Sequence, residues 1–293
     1  MCFLFSTNGL GLFFWEQVPF TMQHFFRKFF HFIHPETRFF AVDLAMYLAV
    51  MSVFLWSIFS GAEASGYNWQ WNRVPRYIFT FTDGTFHFGP LLTGLGITLE
   101  ITCYSMVLAF LFGLTAVLLR YSKSIIARYI ALLYVELIRN TPLMLQVLIM
   151  YFVIAPVLEM ERFLSAVLVL ALFEGAYIAE IFRAGIGSVP KGQWEAAESV
   201  GLSRFHIYRL VVLPQAIRAT LPPLTGQAVS LVKDSALVSV IAIYDLTMQG
   251  QAIISETYLT FEIWFIVALI YLLITVSLSF VVHFLEKKYS YDF

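Results

Sequence analysis

The sequence predicts an all-α membrane protein with six transmembrane helices. Of its 293 residues, 60% are hydrophobic and only 13% are charged, whereas a soluble domain carries about 25% charged residues. Stretches of about 20 apolar residues are long enough to cross a bilayer. Four such stretches without charge are Leu44–Ala62, Ile101–Leu119, Asn140–Leu158 and Ile263–Leu285, and two more, Phe163–Phe182 and Thr220–Tyr244, are interrupted by charge.

The first 37 residues predict a cytoplasmic or interfacial segment that precedes the spans. Met1–Trp15 is apolar but has neither a basic start nor a cleavage site, so it is interpreted as an interfacial or disordered lead-in or as an overextended start. Phe20–His34 alternates basic and aromatic faces at helical spacing, which predicts an amphipathic helix on an anionic membrane surface. No carboxylate or thiol completes a metal site with its histidines, and Cys2 and Cys103 are interpreted as free thiols.

The connections between the spans give further expectations. The third span is expected to begin near Ser124 and to bend around Pro142. Glu63–Pro90 is a polar, aromatic outer loop that forms either a short hairpin or an interfacial aromatic belt, and a loop resting on headgroups is the favoured interpretation.

Lysine and arginine concentrate in one set of connections, which predicts the orientation because basic loops remain on the cytoplasmic side. The predicted outer side carries Arg73, Arg76 and Arg162. The predicted inner side carries Arg27, Lys28, Arg38, Arg120, Lys123, Arg128, Arg183, Lys191, Arg204, Arg209, Arg218, Lys287 and Lys288. Both termini are therefore expected in the cytoplasm.

A polar island, Gln193–Pro214, lies between two of the spans. Its pattern predicts a short helix over Lys191–Val200 that ends at a left-handed Gly201. Ser203 is expected to cap a second helix, which Pro214 ends. A compact pair of helices between spans is suited to docking, although an ordinary interfacial hairpin would have the same form.

Several residues of this island resemble the EAA signature of ABC importer permeases. They are Glu195, Ala196, Ala197, Gly201, Val211, Leu213 and Pro214. The resemblance implies a coupling loop at about 188–214 that sits in a groove of a cytoplasmic ATPase. It also implies that Glu195, Ala196, Ala197, Gly201, Leu213 and Pro214 couple the spans to that ATPase.

Three other segments resemble the polar amino acid (His/Glu/Gln/Arg/opine) family of ABC importer permeases. They are Glu136–Pro142, Ala176–Ile186 and Leu231–Leu237, and the resemblance covers roughly residues 90–290. It implies a five-helix permease domain at 91–286, followed by a cytoplasmic tail at 287–293. The span and outer loop at 38–90 are then an N-terminal addition to that domain.

The same resemblance implies partners in the bacterial inner membrane. They are a second permease subunit, identical or different, two cytoplasmic ATPase subunits and a periplasmic amino-acid-binding protein. The chain has no G-x-x-x-x-G-K-[ST] motif. We therefore expect that it binds no cofactor, that ATP and Mg are used by the partner ATPase, and that membrane lipid but no nucleic acid contacts it.

Ionisable residues inside a membrane are costly and are functional candidates. Glu174 lies near the middle of its span beside Gly175, and either contacts an amino group of the substrate or is a protonated carboxyl bonded to another helix. Lys233 and Asp234 are adjacent in mid-span, which predicts a helix break that forms a gate or a substrate contact. A salt bridge between subunits is the alternative.

Two polar sites are expected near the inner end of the spans. Arg139 and Asn140 precede Pro142 and are interpreted as the inner mouth of the pathway. Glu180 is three residues from Arg183, and an i,i+3 ion pair is expected there.

The sequence thus predicts a permease subunit of an ATP-driven importer for polar amino acids that works by alternating access. An ABC permease for another small solute is one alternative, and an ion-coupled secondary transporter using Glu174, Lys233 and Asp234 is another. An enzyme is disfavoured because no nucleophile–base pair or metal cluster stands at a recognisable spacing. We therefore expect neither catalytic residues nor a metal site.

Overall fold

The computed structural model describes residues 40–64, 66–82 and 84–289. The expected N-terminal segments Met1–Trp15 and Phe20–His34 lie outside the described residues. The contacts divide the chain into one unit that ends at Asn68 and a second that begins at Trp69. The first unit contains helix α1, Phe40–Ala64, whose 25 residues span about 37 Å. Its apolar window is not buried within the structure, as expected of a helix surrounded by lipid.

The second unit is a helical bundle with a small hairpin at its start. The antiparallel pairing of Phe79 with Phe88 and of Thr82 with Thr85 confirms the hairpin alternative for the loop at 63–90. The elements are α2 Pro75–Ile78, β1 Phe79–Thr82, β2 Thr85–Phe88, α3 Pro90–Arg120, α4 Ile125–Arg139, α5 Leu143–Ile149, α6 Arg162–Gly187, α7 Lys191–Ser199, α8 Arg204–His206, α9 Leu213–Asp234, α10 Leu246–Thr257 and α11 Thr260–Tyr289. Short 3-10 segments at Trp71–Arg73 and Ser235–Ile241, π-helical turns at Met150–Ile154 and Ile207–Val212, and the turn Ala155–Val157 complete the description.

Five described helices are long and apolar enough to cross a membrane, and six if the bent pair α4–α5 counts as one span. The prediction of an all-α fold with six transmembrane helices is therefore confirmed. The bend was expected near Pro142, and the two helices meet there at 108°. Pro142 is extended and begins α5 without an amide hydrogen. The Gln146 side chain donates to the carbonyl oxygen of Ile138 at 2.8 Å and so satisfies part of the broken turn.

Helix α3 is longer than the bilayer requires. Its 31 residues extend about 46 Å, whereas the hydrocarbon core is about 30 Å thick. Glu100 and Arg120 bound the apolar part, which matches the predicted span Ile101–Leu119. We therefore expect the first ten residues of α3 to project beyond the membrane, and there Leu91 packs against Leu246 and other buried side chains of α10 and α11.

The most extensive helix contact is between α3 and α6, and small residues permit it. A Cβ atom at Gly113 would lie 2.6 Å from Ile178 Cγ2 and 3.0 Å from the carbonyl oxygen of Gly175. Ser105 Oγ donates to the carbonyl oxygen of Val167 at 3.2 Å across the same interface. Close approach through glycine and hydroxyl side chains is the usual way for helices to pair in lipid.

Helices α8 and α9 are continuous, so the prediction that Pro214 ends the second helix is wrong. One helical span runs from Arg204 to Ile241, with the π-helical turn Ile207–Val212 immediately before Pro214. A proline inside an α-helix lacks its amide donor and clashes with the preceding turn. The π-helical turn is wider than an α-helical turn and lies at the position of that clash. The helix can therefore continue past Pro214.

We expect a Gly113→Leu variant to lose stability because its side chain must displace Ile178 at the α3–α6 contact. Overpacking of this kind costs about 1–3 kcal/mol. Thermal unfolding of the purified protein in detergent measures the effect. The matched control is Gly96→Leu on the same helix, where an added Cβ atom meets nothing within 4 Å. Equal unfolding temperatures for the two variants would show that the helices do not approach as closely as described.

A second expectation concerns Asp245, which begins α10 and lies after the end of the span Arg204–Ile241. Its side chain is fully buried, and Oδ1 accepts a hydrogen bond from the amide of Met248 at 2.8 Å. Burial raises the pKa of this carboxyl to about 6, although the amides at the start of α10 oppose the shift. An ordinary aspartate has a pKa of about 3.9. Asp245 therefore stays protonated to a higher pH in the folded protein than in the unfolded chain.

The stabilising contribution of protonated Asp245 is complete below about pH 4 and is lost as the pH rises through about 6. We therefore expect the unfolding temperature to fall over this range by more in the wild type than in Asp245→Asn. Asparagine also caps helices and does not ionise. Thermal unfolding between pH 4 and pH 7 measures the difference, and parallel pH profiles for the two proteins would contradict the assignment.

Candidate functional site

The segment 188–214, called here the coupling segment, has one buried and one exposed face. Ala197 of α7 packs against Ile207, Val212 and Ala216, which are all buried. Glu195 and Ala196 point away from this small core and are exposed. Gly201 has a φ of +78°, which confirms the predicted left-handed stop after the helix.

The exposed face of the coupling segment carries large apolar side chains. Val200 is 75% exposed, Phe205 is 66% exposed and Leu210 is 59% exposed, and Leu213 and Pro214 are also at the surface. Large apolar side chains that stay exposed beside polar residues are typical of an interaction surface. Val200 and Phe205 were not predicted from the sequence as docking residues, although apolar residues in an otherwise polar island were a signal.

The start of the second helix differs from the prediction in one detail. Ser203 stands at the cap position, but its hydroxyl pairs with His206 Nδ1 at 2.8 Å and makes no cap bond to the backbone. The two parts of the segment are joined instead by an edge-to-face contact of Trp194 with Tyr208, whose ring centres are 5.2 Å apart. This aromatic contact fixes α7 against the π-helical turn that leads into α9.

A cluster of polar side chains lies inside the bundle around Glu174, which is fully buried. Gln227 Nε2 of α9 donates to Glu174 Oε2 at 2.5 Å. The Asp234 carboxyl approaches that of Glu174 closely enough for a hydrogen bond. Glu174 Oε1 has no donor among the described residues. Two facing carboxyls without a donor between them need a proton or a bound cationic group.

Gln227 was not identified from the sequence. It stands seven residues before Asp234, which is two helical turns and therefore the same face of α9. That spacing was the available signal. The expected helix break at Lys233 and Asp234 is absent: one span continues from Arg204 to Ile241, and only its winding changes from α to 3-10 after Asp234, at Ser235–Ile241.

The other residues predicted to line the pathway do not join this cluster. Lys233 is exposed, on another side of α9 from Asp234. Arg139 is exposed and its guanidinium lies 5.2 Å from the centre of the Tyr177 ring. Asn140 donates to the side chain of Glu136 at 2.9 Å. Within the predicted set, Glu174 and Asp234 thus form a carboxyl cluster inside the bundle, Arg139 and Asn140 lie at the α4–α5 bend, and Lys233 stands apart from both.

A third polar group lies toward the coupling segment and confirms the predicted ion pair of Glu180 with Arg183. Arg183 Nε donates to both carboxyl oxygens of Glu180 at 2.9 Å. Arg120 Nη1 at the end of α3 also lies 3.3 Å from Glu180 Oε2. The sequence did not predict this second partner, because α3 and α6 are brought together only by the fold.

Comparison with known proteins agrees with this arrangement. Residues 105–291 match the family described as "binding-protein-dependent transport system inner membrane component". The chain is 40% identical over 201 residues to the glutamine transport system permease protein GlnP of Escherichia coli K12, covering 68% of this chain and 92% of that protein. It is 36% identical to the probable glutamine ABC transporter permease protein GlnM of Bacillus subtilis, covering 69% and 94%.

Two solved structures have the same fold. One is an amino acid ABC transporter crystallised with histidines, with 38% identity, a TM-score of 0.65, and coverage of 68% of this chain and 94% of that one. The other is the inward-facing MetNI methionine ABC transporter, with 20% identity, a TM-score of 0.57, and coverage of 69% and 96%. The chain therefore belongs to the family of inner membrane components of binding-protein-dependent transport systems.

Proposed function

We propose that this chain is the permease subunit of an ATP-driven importer for polar amino acids, with glutamine as the first substrate to test. Its similarity to permeases named for glutamine transport supports the substrate class. The observation that carries the proposal is the continuous helical span from Arg204 to Ile241. One end of this span belongs to the exposed coupling segment, and the other carries Gln227 and Asp234 of the buried cluster.

The proposed mechanism is alternating access driven from the cytoplasm. An ATPase dimer that closes on ATP would draw two coupling segments together, and each segment would move the helix to which it is joined. ATP and Mg are bound and used by that partner, and this chain contributes no catalytic residue and binds no cofactor. Its contribution is a difference in stability between two conformations, one favoured by ATP and the other by the absence of nucleotide.

The partners follow from this mechanism. A second permease subunit, identical or different, completes the pathway, and a binding protein delivers the amino acid on the outer side. The concentration of lysine and arginine in the coupling segment and its neighbours supports a cytoplasmic location for that segment and for both termini. Glu195, Ala196 and Gly201, with Leu213 and Pro214 nearby, would then face the ATPase, and buried Ala197 would shape the surface from within.

The buried cluster is the proposed contact for the amino group of the substrate. Glu174 Oε1 has no donor among the described residues, and Asp234 provides a second carboxyl beside it. An ammonium group placed between them would supply donors to both. Arg139, on the neighbouring helix α4, is proposed to lie with Asn140 at the inner mouth. Lys233, which is exposed in the single chain, is proposed to face the second permease subunit.

The first test is the coupling segment. We expect a Glu195→Arg, Gly201→Asp double variant to lose its ATPase partner, because it reverses a charge on the exposed face and introduces a side chain at a left-handed glycine. The measurement is a tagged purification from native membranes in mild detergent, with the associated chains identified by mass spectrometry.

Glu256→Arg is the control for that purification. It makes the same charge change at an exposed position of α10, at the opposite end of the bundle. Recovery of an ATPase with the wild type and the control, but not with the double variant, supports the proposal. Recovery of no ATPase with the wild type would contradict it, and recovery with all three would remove the coupling segment from the interface.

The second test is the buried cluster. We expect Glu174→Gln to reduce the maximal transport rate of the reconstituted complex about tenfold or more, because a charge-assisted hydrogen bond of roughly 1.5–3 kcal/mol is lost. Uptake of labelled glutamine at saturating loaded binding protein measures this. Glu161→Gln, at the exposed start of the same helix, is the control. Unchanged rate and substrate preference in Glu174→Gln would rule out the contact.

A further inference from the structure

The polar group formed by Glu180, Arg183 and Arg120 has no role in docking or in the substrate contact described above, yet it joins two helices. Glu180 of α6 receives hydrogen bonds from Arg183 on its own helix and lies 3.3 Å from Arg120 at the end of α3. Exposed ion pairs of this kind contribute little to stability. The side chains of Arg120 and Glu180 are 30% and 26% exposed, so stability alone gives a weak reason for the arrangement.

The coupling segment is linked to this group by the electrostatic interactions of Tyr121 and by the packing of the end of α6. Tyr121 directly follows α3, and its hydroxyl lies in the electrostatic field of Tyr208, Arg183 and Arg120. Burial and the neighbouring Tyr208 raise the pKa of Tyr121, whereas the two arginines lower it. Tyr208 belongs to the π-helical turn and packs against Trp194 of α7. The end of α6 also packs directly against the coupling segment, because Ile186 and Val189 belong to the same apolar cluster as Ala197 and Val212.

On the membrane side, the same group approaches the buried cluster. Glu174 is six residues before Glu180 on α6, about 9 Å along the helix. Tyr177 lies between them on the chain, packs against Phe173 at 5.0 Å and carries the Arg139 guanidinium over its ring. Arg139 also interacts electrostatically with Glu180. Arg120 of α3 and Arg183 of α6 thus contact Glu180, and Arg139 of α4 acts on it only through the electrostatic interaction.

We propose that Glu180 is a positioning residue that transmits movement of the coupling segment to the helices around the carboxyl cluster. Its bond to Arg120 holds the ends of α3 and α6 together. Displacement of the coupling segment is passed to the end of α6 through the packing of Ile186 and Val189, and α6 then carries Glu174 with it. This inference rests on the proposed function, because it concerns how ATP binding at one end is coupled to transport at the other.

The test uses the complete complex, reconstituted with its partner permease, ATPase and glutamine-loaded binding protein in lipid nanodiscs. The readouts are the ratio of stimulated to unstimulated ATP hydrolysis and the amount of glutamine transported per ATP. We expect Glu180→Gln to reduce both about fivefold or more, as a coupling free energy between sites would. A role limited to holding the fold together would leave both ratios unchanged in the assembled complex.

Further variants identify the contact. Arg120→Gln is expected to cause the same loss, and the double variant no more than either single variant, because both act through one interaction. Arg120→Lys keeps the charge and is expected to restore part of the ratio. Arg128→Gln, an exposed arginine on α4, is the matched control and is expected to keep the wild-type ratio.

Several results would overturn the proposal. They are wild-type ratios in both Glu180→Gln and Arg120→Gln, additive losses in the double variant, or an equal loss in Arg128→Gln. If Glu180→Gln does not assemble, Arg120→Gln and Arg120→Lys decide the question with the same readouts.

One further readout separates this proposal from the proposed function. If glutamine does not stimulate the wild-type complex, the substrate assignment fails while the transmission proposal can still be examined. A spin label is then placed at Glu161→Cys, on the outer end of α6, in a Cys2→Ser, Cys103→Ser background. Its spectrum is expected to change on addition of ATP and vanadate in the wild type and not in Glu180→Gln. Equal responses in the two proteins would contradict transmission.

Discussion

The close approach of α3 and α6 is the constraint on which the other features depend. Gly113 and Gly175 leave no room for a Cβ atom, so the two backbones lie nearly in contact. Glycine inside a helix costs about 1 kcal/mol relative to alanine. In lipid, however, helices are not driven together by the hydrophobic effect, and close packing between them provides the stabilisation instead. This fixed pair brings Arg120 to Glu180 and places Glu174 in the interior, where α9 meets it.

Burial of the cluster has an electrostatic consequence. Gln227 offers a donor to only one oxygen of Glu174, and Asp234 adds a second acceptor rather than a donor. Two charges of the same sign in a poorly solvated site repel strongly. The arrangement is therefore electrically complete only when a proton or a cationic group is present, which is the property expected of a site that binds an ammonium group and then releases it.

Much of the fold was predictable from the sequence, because charges in a membrane segment are rare and mark its limits. Glu100 and Arg120 bound the apolar part of α3 in this way. Gly201 predicted the end of α7, and its positive φ in the structure agrees with that prediction. The continuity through Pro214 was not predictable, because proline normally ends a helix and a π-helical turn leaves no distinct sequence signal. Pairs such as Glu180 with Arg120 and Glu174 with Gln227 also require knowledge of which helices meet.

The change of helical geometry after Asp234 indicates which side of α9 faces the protein interior. Irregular backbone is tolerated within a membrane only where protein or an aqueous cavity surrounds it. The 3-10 segment meets that condition, since Ser235, Val238 and Ile241 are buried. Ser235 Oγ donates to the carbonyl oxygen of Val232 at 2.8 Å, and so satisfies an acceptor at the change of geometry. Asp234 therefore stands at a point where the helix can alter its winding while its polar groups remain satisfied, and a movement that begins at the coupling segment can be taken up there without exposing them to lipid.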